Sequence, residues 1–489
     1  MMIQAKKVSS IKDEQTNLVL GIFTDQLPAL FTELDGILEG NLTLMLEQGL
    51  IQKKYQEVTP IFTFGKLKCP KIYVVSMGEV ADFDLGKYRR TIGKVAQAVK
   101  EDVTFLIETF ANGEFSVCKL ARIAAESITL ATFKVDCYKS DKPESTPINF
   151  YLHAETDVDD AIEKGIIYGQ GANHARALVN KPGNKLTATD LADSVSKFAQ
   201  EHQLECNIIE KDEMIQKGMG GILGVNRGST EPPKMIVAKY QGTAQFDNVT
   251  ALIGKGLTFD TGGYNLKPSQ AIYGMHGDMG GAASAIGAFE TAVRLKLPVN
   301  LLLVVPATDN MISGDSIKPG DVLHTMSGKT VEVVNTDAEG RLILADALTL
   351  AQELGASRMI NLATLTGAMV VALGMDTTGA FTNDQEFLND FLRASKDAHE
   401  DVWQMPLYKR DQEALKASLV ADLNNAPAKK PGAIMAAAFL KEFALDTPWI
   451  HLDVAGTAGT EAAHDLGPKG GTGVMVRTIV NYLENNFKG

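Results

Sequence analysis

The chain has 489 residues, 45% hydrophobic and 22% charged, ordinary globular proportions for a length that divides into two domains. A formal charge of −13, with no basic stripe among the aromatics, argues against nucleic-acid binding. Met1–Gln15 lacks the apolar core of a signal peptide and runs such as Leu301–Val305 are too short to span a bilayer, so a cytoplasmic protein without a membrane segment is expected. Its four cysteines, Cys69, Cys118, Cys137 and Cys206, form no CxxC or zinc pattern and read as reduced thiols.

In chain order, Leu18–Phe23 and Ile72–Ser76 read as buried strands, Lys87–Val99 as an amphipathic helix, and Val103–Glu108 as a further strand. The polar run Lys139–Thr146 predicts a loop. A long helical pattern, Val158–Val179, stops before Pro182 and predicts a helix joining two domains. Beyond Thr187, strands (Met235–Tyr240, Val249–Ile253, Val299–Val305, Met359–Leu362, Ile450–Val454) alternate with helices (Met279–Leu295, Leu342–Leu354, Ile434–Phe443). The expected fold is α/β: an N-terminal α/β domain over 1–157, a linking helix over 158–182, and a larger domain over 183–489 with a mostly parallel sheet.

Two clusters carry chemistry. The first is Asn335-Thr336-Asp337-Ala338-Glu339-Gly340-Arg341-Leu342, between an alternating strand end (Val331–Val334) and an apolar helix. Two acids and an arginine there suit a metal pair beside an anion, although carboxylates also favour any helix N-terminus. The second is Lys255-Gly256-Leu257-Thr258-Phe259-Asp260-Thr261-Gly262-Gly263, after the apolar run Val249–Ile253, followed by Lys267 and Asp278. Asp260, Asp278, Asp337 and Glu339 bring four negative charges that two divalent cations would neutralise; gathered without metal, they would raise one another's pKa. Taken singly, each residue has a plainer reading: Lys255 a snorkelling lysine, Lys267 a solvated loop lysine, Asp278 a helix cap, and Arg341 a partner for Glu339.

Both clusters, with their spacing, closely resemble the cytosol leucyl aminopeptidases, two-metal peptidases marked by the octapeptide NTDAEGRL, present here in full. The likeness extends through Ala175–Pro182, Glu231–Lys234, Asp278–Ala283, Ala363–Ala368 and His451–Gly456. It covers roughly Ile162 to Tyr482 and is weak before Asp157. The resemblance implies that Asp260 and Glu339 bridge two divalent ions, with Asp337 on one and Asp278 and a neutral Lys255 on the other. Manganese or zinc are expected, cobalt or magnesium possible.

It also implies that Lys267 stays charged and stabilises the oxyanion. Arg341, with main-chain groups of Ala338, Gly340 and Leu365, is expected to hold bicarbonate as a proton shuttle. An apolar pocket formed by Met275, Thr364, Gly367, Ala455 and Ala458 would take the first side chain, leucine or a similar neutral residue. The expected reaction is hydrolysis of the N-terminal peptide bond of small peptides by a water bridging the ions. A homohexamer is expected, with the N-terminal domain concerned with assembly.

Departures from the family pattern fall at Thr261, Tyr264-Asn265 and His276, beside the site. They bear on rate, metal preference or substrate access. None of the eight histidines forms HExxH, which disfavours a mono-zinc peptidase, and His451, behind Trp449-Ile450, reads as a satisfied core residue. Ser194–Lys197 fits S-x-x-K by chance, inside an amphipathic helix. Two other classes stay open on the residues alone: two-metal phosphoester hydrolysis, and an acidic scaffold with a dead site. The scaffold would have lost one of the seven charged positions, and all are present.

Overall fold

The computed structural model describes residues 2–8, 10–136, 138–141, 146–427, 430 and 432–487; Cys137 and residues 142–145 of the expected polar loop lie outside them. The chain divides into two compact units, 1–170 with 463–468, and 171–462 with 469–489.

In the first unit the strands Ile3–Ala5, Phe150–His153, Val103–Leu106, Asn17–Ile22 and Lys71–Ser76 lie side by side in parallel, with Val58–Phe62 antiparallel on the edge. Asn17–Ile22 is buried along its whole length, as a parallel strand covered on both faces must be. One face packs against helices Leu85–Ala98 and Val117–Ala131, the other against Ala29–Ile37 and Asn41–Glu47. The strand expected over Val103–Glu108 ends at Leu106. Thr109 turns the chain there by donating its hydroxyl to Leu106 O at 2.7 Å, and Ile107–Phe110 forms a 3-10 turn. Between the two helices, Arg89 Nε meets Glu126 Oε1 at 3.1 Å, and both side chains are buried.

In the second unit a nine-stranded sheet runs in the order Asp401–Gln404, Thr377–Thr382, Trp449–Asp453, Ala356–Ala363, Val249–Gly254, Asn300–Asn310, Lys234–Gln241, Glu205–Ile209, with Gly256–Asp260 also pairing Asn300–Asn310. Its four central strands are parallel, and antiparallel pairing enters toward the edges. Helices Gly340–Glu353 and Gly432–Ala444 cover one apolar cluster. Helix Gly280–Arg294 packs on strands Val249–Gly254 and Ala356–Ala363.

The strand before the NTDAEGRL octapeptide, expected over Val331–Val334, ends at Glu332 and lies off the large sheet. Thr330–Glu332 belongs to a separate three-stranded sheet with Val322–His324 and Leu423–Asn424. Its Val331 is the one fully buried residue of the three, too little apolar surface for a central strand. That small sheet sets Asn425 beside the octapeptide. Of the cysteines, Cys69, Cys118 and Cys206 are free thiols.

Candidate active site

The site is built where sheet strands end. Strand Val249–Gly254 stops at Lys255, whose N–H bonds Leu362 O at 2.9 Å on the neighbouring strand, and whose carbonyl accepts from Ala282 N at 2.9 Å. With its backbone pinned twice, the lysine stem runs past the start of helix Gly340–Glu353. A Cβ on Gly340 would stand 2.6 Å from Lys255 Cε and would push the end of the lysine aside. Lys255 Nζ, buried, lies 2.8 Å from Asp278 Oδ2 and 3.0 Å from Glu339 Oε1, and donates to Thr364 O at 3.0 Å.

Asp260 ends the next strand, Gly256–Asp260, and accepts from Gly262 N at 2.8 Å and from Asn310 Nδ2 at 2.9 Å. Gly262, at φ +87°, lets the chain reverse; a Cβ there would come within 2.9 Å of Asp337 Oδ1. The loop returns Lys267, whose ammonium lies 2.8 Å from Asp260 Oδ2 and also pairs with Asp337. One carboxylate oxygen each of Asp260, Asp337 and Glu339 lies within 4.8 Å of the others. Asp278 adjoins them through Lys255. Its carboxylate caps no helix; it bonds Lys255 and accepts from Thr364 Oγ1 at 2.7 Å.

All seven charged positions therefore converge on one region, which surface ion pairs do not explain. Burial lifts Asp278 to about 7, reinforced by the Asp260 and Glu339 charges and opposed by Lys255. Asp337 rises too, chiefly by burial. Burial alone would lower Lys255, but Asp278, Glu339 and Asp260 outweigh it and hold the ammonium above its ordinary value. Lys267 behaves likewise, with Asp260 foremost among the anions. Without cations, then, both lysines serve as counter-charges for four carboxylates. Divalent ions fit that oxygen-rich array, and their repulsion would be needed to free Lys255 of its proton.

Arg341 stands apart. Its Nη1 donates to Asn425 O at 2.7 Å, its Nε is buried without a hydrogen-bond partner, and among the described residues no carboxylate pairs with it. Burial pulls it to about 10, with Glu339 and Asp453 charges opposing, so it remains charged at neutral pH. A buried guanidinium in that state is suited to an incoming anion. Ala338 and Gly340 flank it in the chain. Leu365 offers less than expected, because its N–H already donates to Asp453 Oδ1 at 3.2 Å.

Thr364 and Ala458 both lie against Gly280. Gly367 and Ala455 follow the ends of two neighbouring strands, and Met275 begins the short 3-10 turn that leads to Asp278. His276 is half-buried, which lowers its pKa. His451 is fully buried but only half satisfied. Its Nδ1 lies 3.1 Å from Asn361 Oδ1, and Nε2 has no partner.

Four supporting residues carried no expectation of such a role. Thr336, inside the octapeptide, donates to Gly262 O at 2.7 Å. Asn310 joins Asp260 to Thr336 O. Asp453 collects Leu365 N, Ala455 N and Thr366 Oγ1. Asn425 accepts Val334 N at 2.8 Å and Asn335 N at 3.2 Å, and donates to Asn335 O and Ala338 O. For Asn310 and Asp453 the available signal was a polar residue closing an apolar strand run; Asn425 had none.

Two family descriptions match the chain: the cytosol aminopeptidase family N-terminal domain over residues 19–142 and its catalytic domain over 173–480. A probable cytosol aminopeptidase of Bacillus subtilis is 46% identical over 477 residues, covering 96% of this chain and 95% of that protein. A tomato leucine aminopeptidase mutant superposes with a TM-score of 0.88 at 29% identity, covering 99% and 97% of the two chains. The bottromycin maturation enzyme BotP in complex with Mn gives 0.85 at 30% identity, covering 96% and 99%. With a cation-ready carboxylate cluster at its strand ends and both family domains in sequence, the chain belongs to the cytosol aminopeptidase family and is a metal-dependent aminopeptidase.

Proposed function

We propose that this enzyme removes the first residue of small peptides with a free N-terminus, preferring leucine and similar neutral side chains. Two divalent ions would be held by Lys255, Asp260, Asp278, Asp337 and Glu339. The observation that carries this reading is the meeting of three carboxylates within 4.8 Å, with Lys255 joining Asp278 to the same array. Bound there, the ions would supply a shared water of lowered pKa and a polarised carbonyl. Manganese is favoured by the Mn complex of BotP, and zinc, cobalt or magnesium also suit the donor set.

Lys267 would meet the oxyanion. Its side chain is 16% exposed, so a substrate can reach it, and its carboxylate neighbours keep it charged. Arg341 would hold bicarbonate, with main-chain help near Ala338, Gly340 and Leu365; its unpartnered Nε supports this. The bicarbonate would supply the proton relay, so no side chain of the usual general-base type is needed. Met275, Thr364, Gly367, Ala455 and Ala458 would line the side-chain pocket, where one methylene is worth only about 1–3 kcal/mol, so discrimination should be loose.

The same reading assigns residues 1–157 to assembly of a homohexamer, 158–182 to a linking helix and 183–489 to catalysis, in a cytoplasmic protein. No helix among the described residues is long and apolar enough to cross a membrane. Phosphoester hydrolysis is the weaker alternative, because a lysine nitrogen in the donor set suits it poorly.

Assaying leucine anilide and nitrophenyl phosphate with manganese or zinc tests the reading. Turnover of the anilide alone is expected. Lys255→Ala and Glu339→Ala should each lower it by about a thousandfold or more while the fold persists. Full activity of Glu339→Ala would rule out the proposed ion site.

A further inference from the structure

The active-site reading gives no task to Asn265, which stands two residues before Lys267. The structure gives it a specific partner. Asn265 N–H donates to Thr336 Oγ1 at 2.8 Å, and Thr336 N–H donates to Asn265 Oδ1 at 2.8 Å. Thr336 is completely buried and immediately precedes Asp337. Its hydroxyl lies 2.7 Å from Gly262 O and 3.0 Å from Asn265 Oδ1, and its carbonyl accepts from Asn310 Nδ2, the amide that also holds Asp260. On the solvent side, Tyr264 Oη donates to Ser313 O at 2.9 Å.

The segments bearing Asp260, Lys267 and Asp337 thus meet at one threonine, and Asn265 closes the join reciprocally. Both members lie in loops. Gly262 and Gly263 hold positive φ in the first of them, and Lys267 N–H donates to Thr261 O at 3.0 Å. We propose that Asn265 and Thr336 form a positioning pair that sets the separation of Lys267 from Asp337, and with it the ion site to which Asp337 contributes.

This rests on the function proposed above, and deepens it. Without the pair, the Lys267 loop loses two of its ties to the octapeptide. Displacements of about 1 Å in such sites cost about a hundredfold in rate. Partners that orient metal ligands typically govern affinity by about 10–100-fold. Neither residue need touch the substrate.

The test uses the full chain with Asn265→Ala, Thr336→Val and Thr336→Ser, stripped of metal. Manganese binding is followed by calorimetry, alongside kcat and KM for leucine anilide and the melting temperature. Asn265→Ala and Thr336→Val should weaken one of two manganese sites by about tenfold or more. They should lower kcat by a similar factor, leaving KM within about twofold. Thr336→Ser keeps the hydroxyl and should restore both. Each single variant keeps one of the two reciprocal bonds, so the double variant should be at least as impaired as the more damaged single one.

Wild-type manganese affinity and kcat in Asn265→Ala would overturn the proposal, and that variant decides the matter if Thr336→Val does not fold. Failure of the wild type to bind manganese or to cleave the anilide would instead sink the function reading itself.

Discussion

Two buried charge clusters, one in each unit, obey opposite rules. In the N-terminal unit Arg89 and Glu126 pair cation with anion between two helices. In the larger unit Asp260, Asp278, Asp337 and Glu339 share Lys255 and Lys267, while among the described residues no carboxylate pairs with Arg341. Both lie on parallel-sheet frameworks with apolar cores, so the layout of the fold does not distinguish them. Charge balance does. A matched pair closes its site, whereas surplus anions beside an unmatched guanidinium leave one open to dications and to an anion. Burial of charge is therefore a weak sign of function, and unbalanced burial a strong one.

The largest effect that sharpens this contrast should come from the balanced cluster. Arg89→Ala leaves the Glu126 carboxylate without its buried partner and should lower stability by about 3–5 kcal/mol. Turnover per folded molecule should hardly change. Replacing both, as Arg89→Met with Glu126→Leu, should recover most of the loss, because a self-neutralised pair contributes little net stability. Urea unfolding alongside kcat measures both quantities. A fall in kcat as deep as that of Glu339→Ala would erase the distinction between the clusters.

A smaller effect is expected at Asn425, where the unbalanced cluster depends on neutral groups. Its side chain accepts two N–H groups, from Val334 and Asn335, and donates to Asn335 O and Ala338 O; its carbonyl receives Arg341. Asn425→Ala keeps the carbonyl but orphans the octapeptide's backbone, costing about 1–3 kcal/mol. Because the displaced loop carries Asp337 and Glu339, kcat should fall about tenfold or more with little change in KM. Unaltered kcat despite the lost stability would show that the loop holds its shape without this clasp.

The contrast also explains what the sequence disclosed. All seven charged positions were legible, since each follows an apolar run or a glycine turn within one short segment, and the strands carrying them read clearly by periodicity. Their supports were less so. Asn425 acts on residues about ninety positions earlier, through a strand of two residues that has no periodicity to detect. The alternation over Val331–Val334 fits a strand end in any sheet; only the pairing of Thr330–Glu332 with Leu423–Asn424 reveals the separate one. Leu365 was expected to aim main-chain groups at an anion. That its N–H is taken by Asp453 depends on the register of two parallel strands, which local pattern does not encode.

The smallest expected effect concerns His451, behind the unbalanced cluster. It stacks with Trp449 at 6.1 Å and Phe381 at 5.9 Å, and burial, with the Arg341 charge adding to it, lowers its pKa to about 3. A base depressed on folding is protonated first in the unfolded chain. Its contribution is therefore complete above about 6.5 and lost as pH falls toward 3. Between pH 8 and pH 5 that loss is about 2 kcal/mol, from about 1.5 units at 1.36 kcal/mol each. His451→Phe keeps the stack, removes the partnerless Nε2 and forfeits the contact to Asn361, so its stability at pH 8 should be within about 1 kcal/mol of wild type. Other groups titrate in both proteins and cancel in the difference, including Asp346, which burial raises to about 7. Measured by urea unfolding of metal-free protein, the variant should gain on wild type by about 2 kcal/mol as pH drops from 8 to 5. An unchanging difference would mean that the imidazole takes up its proton inside the folded chain, and that the positive charge of Arg341 does not reach it.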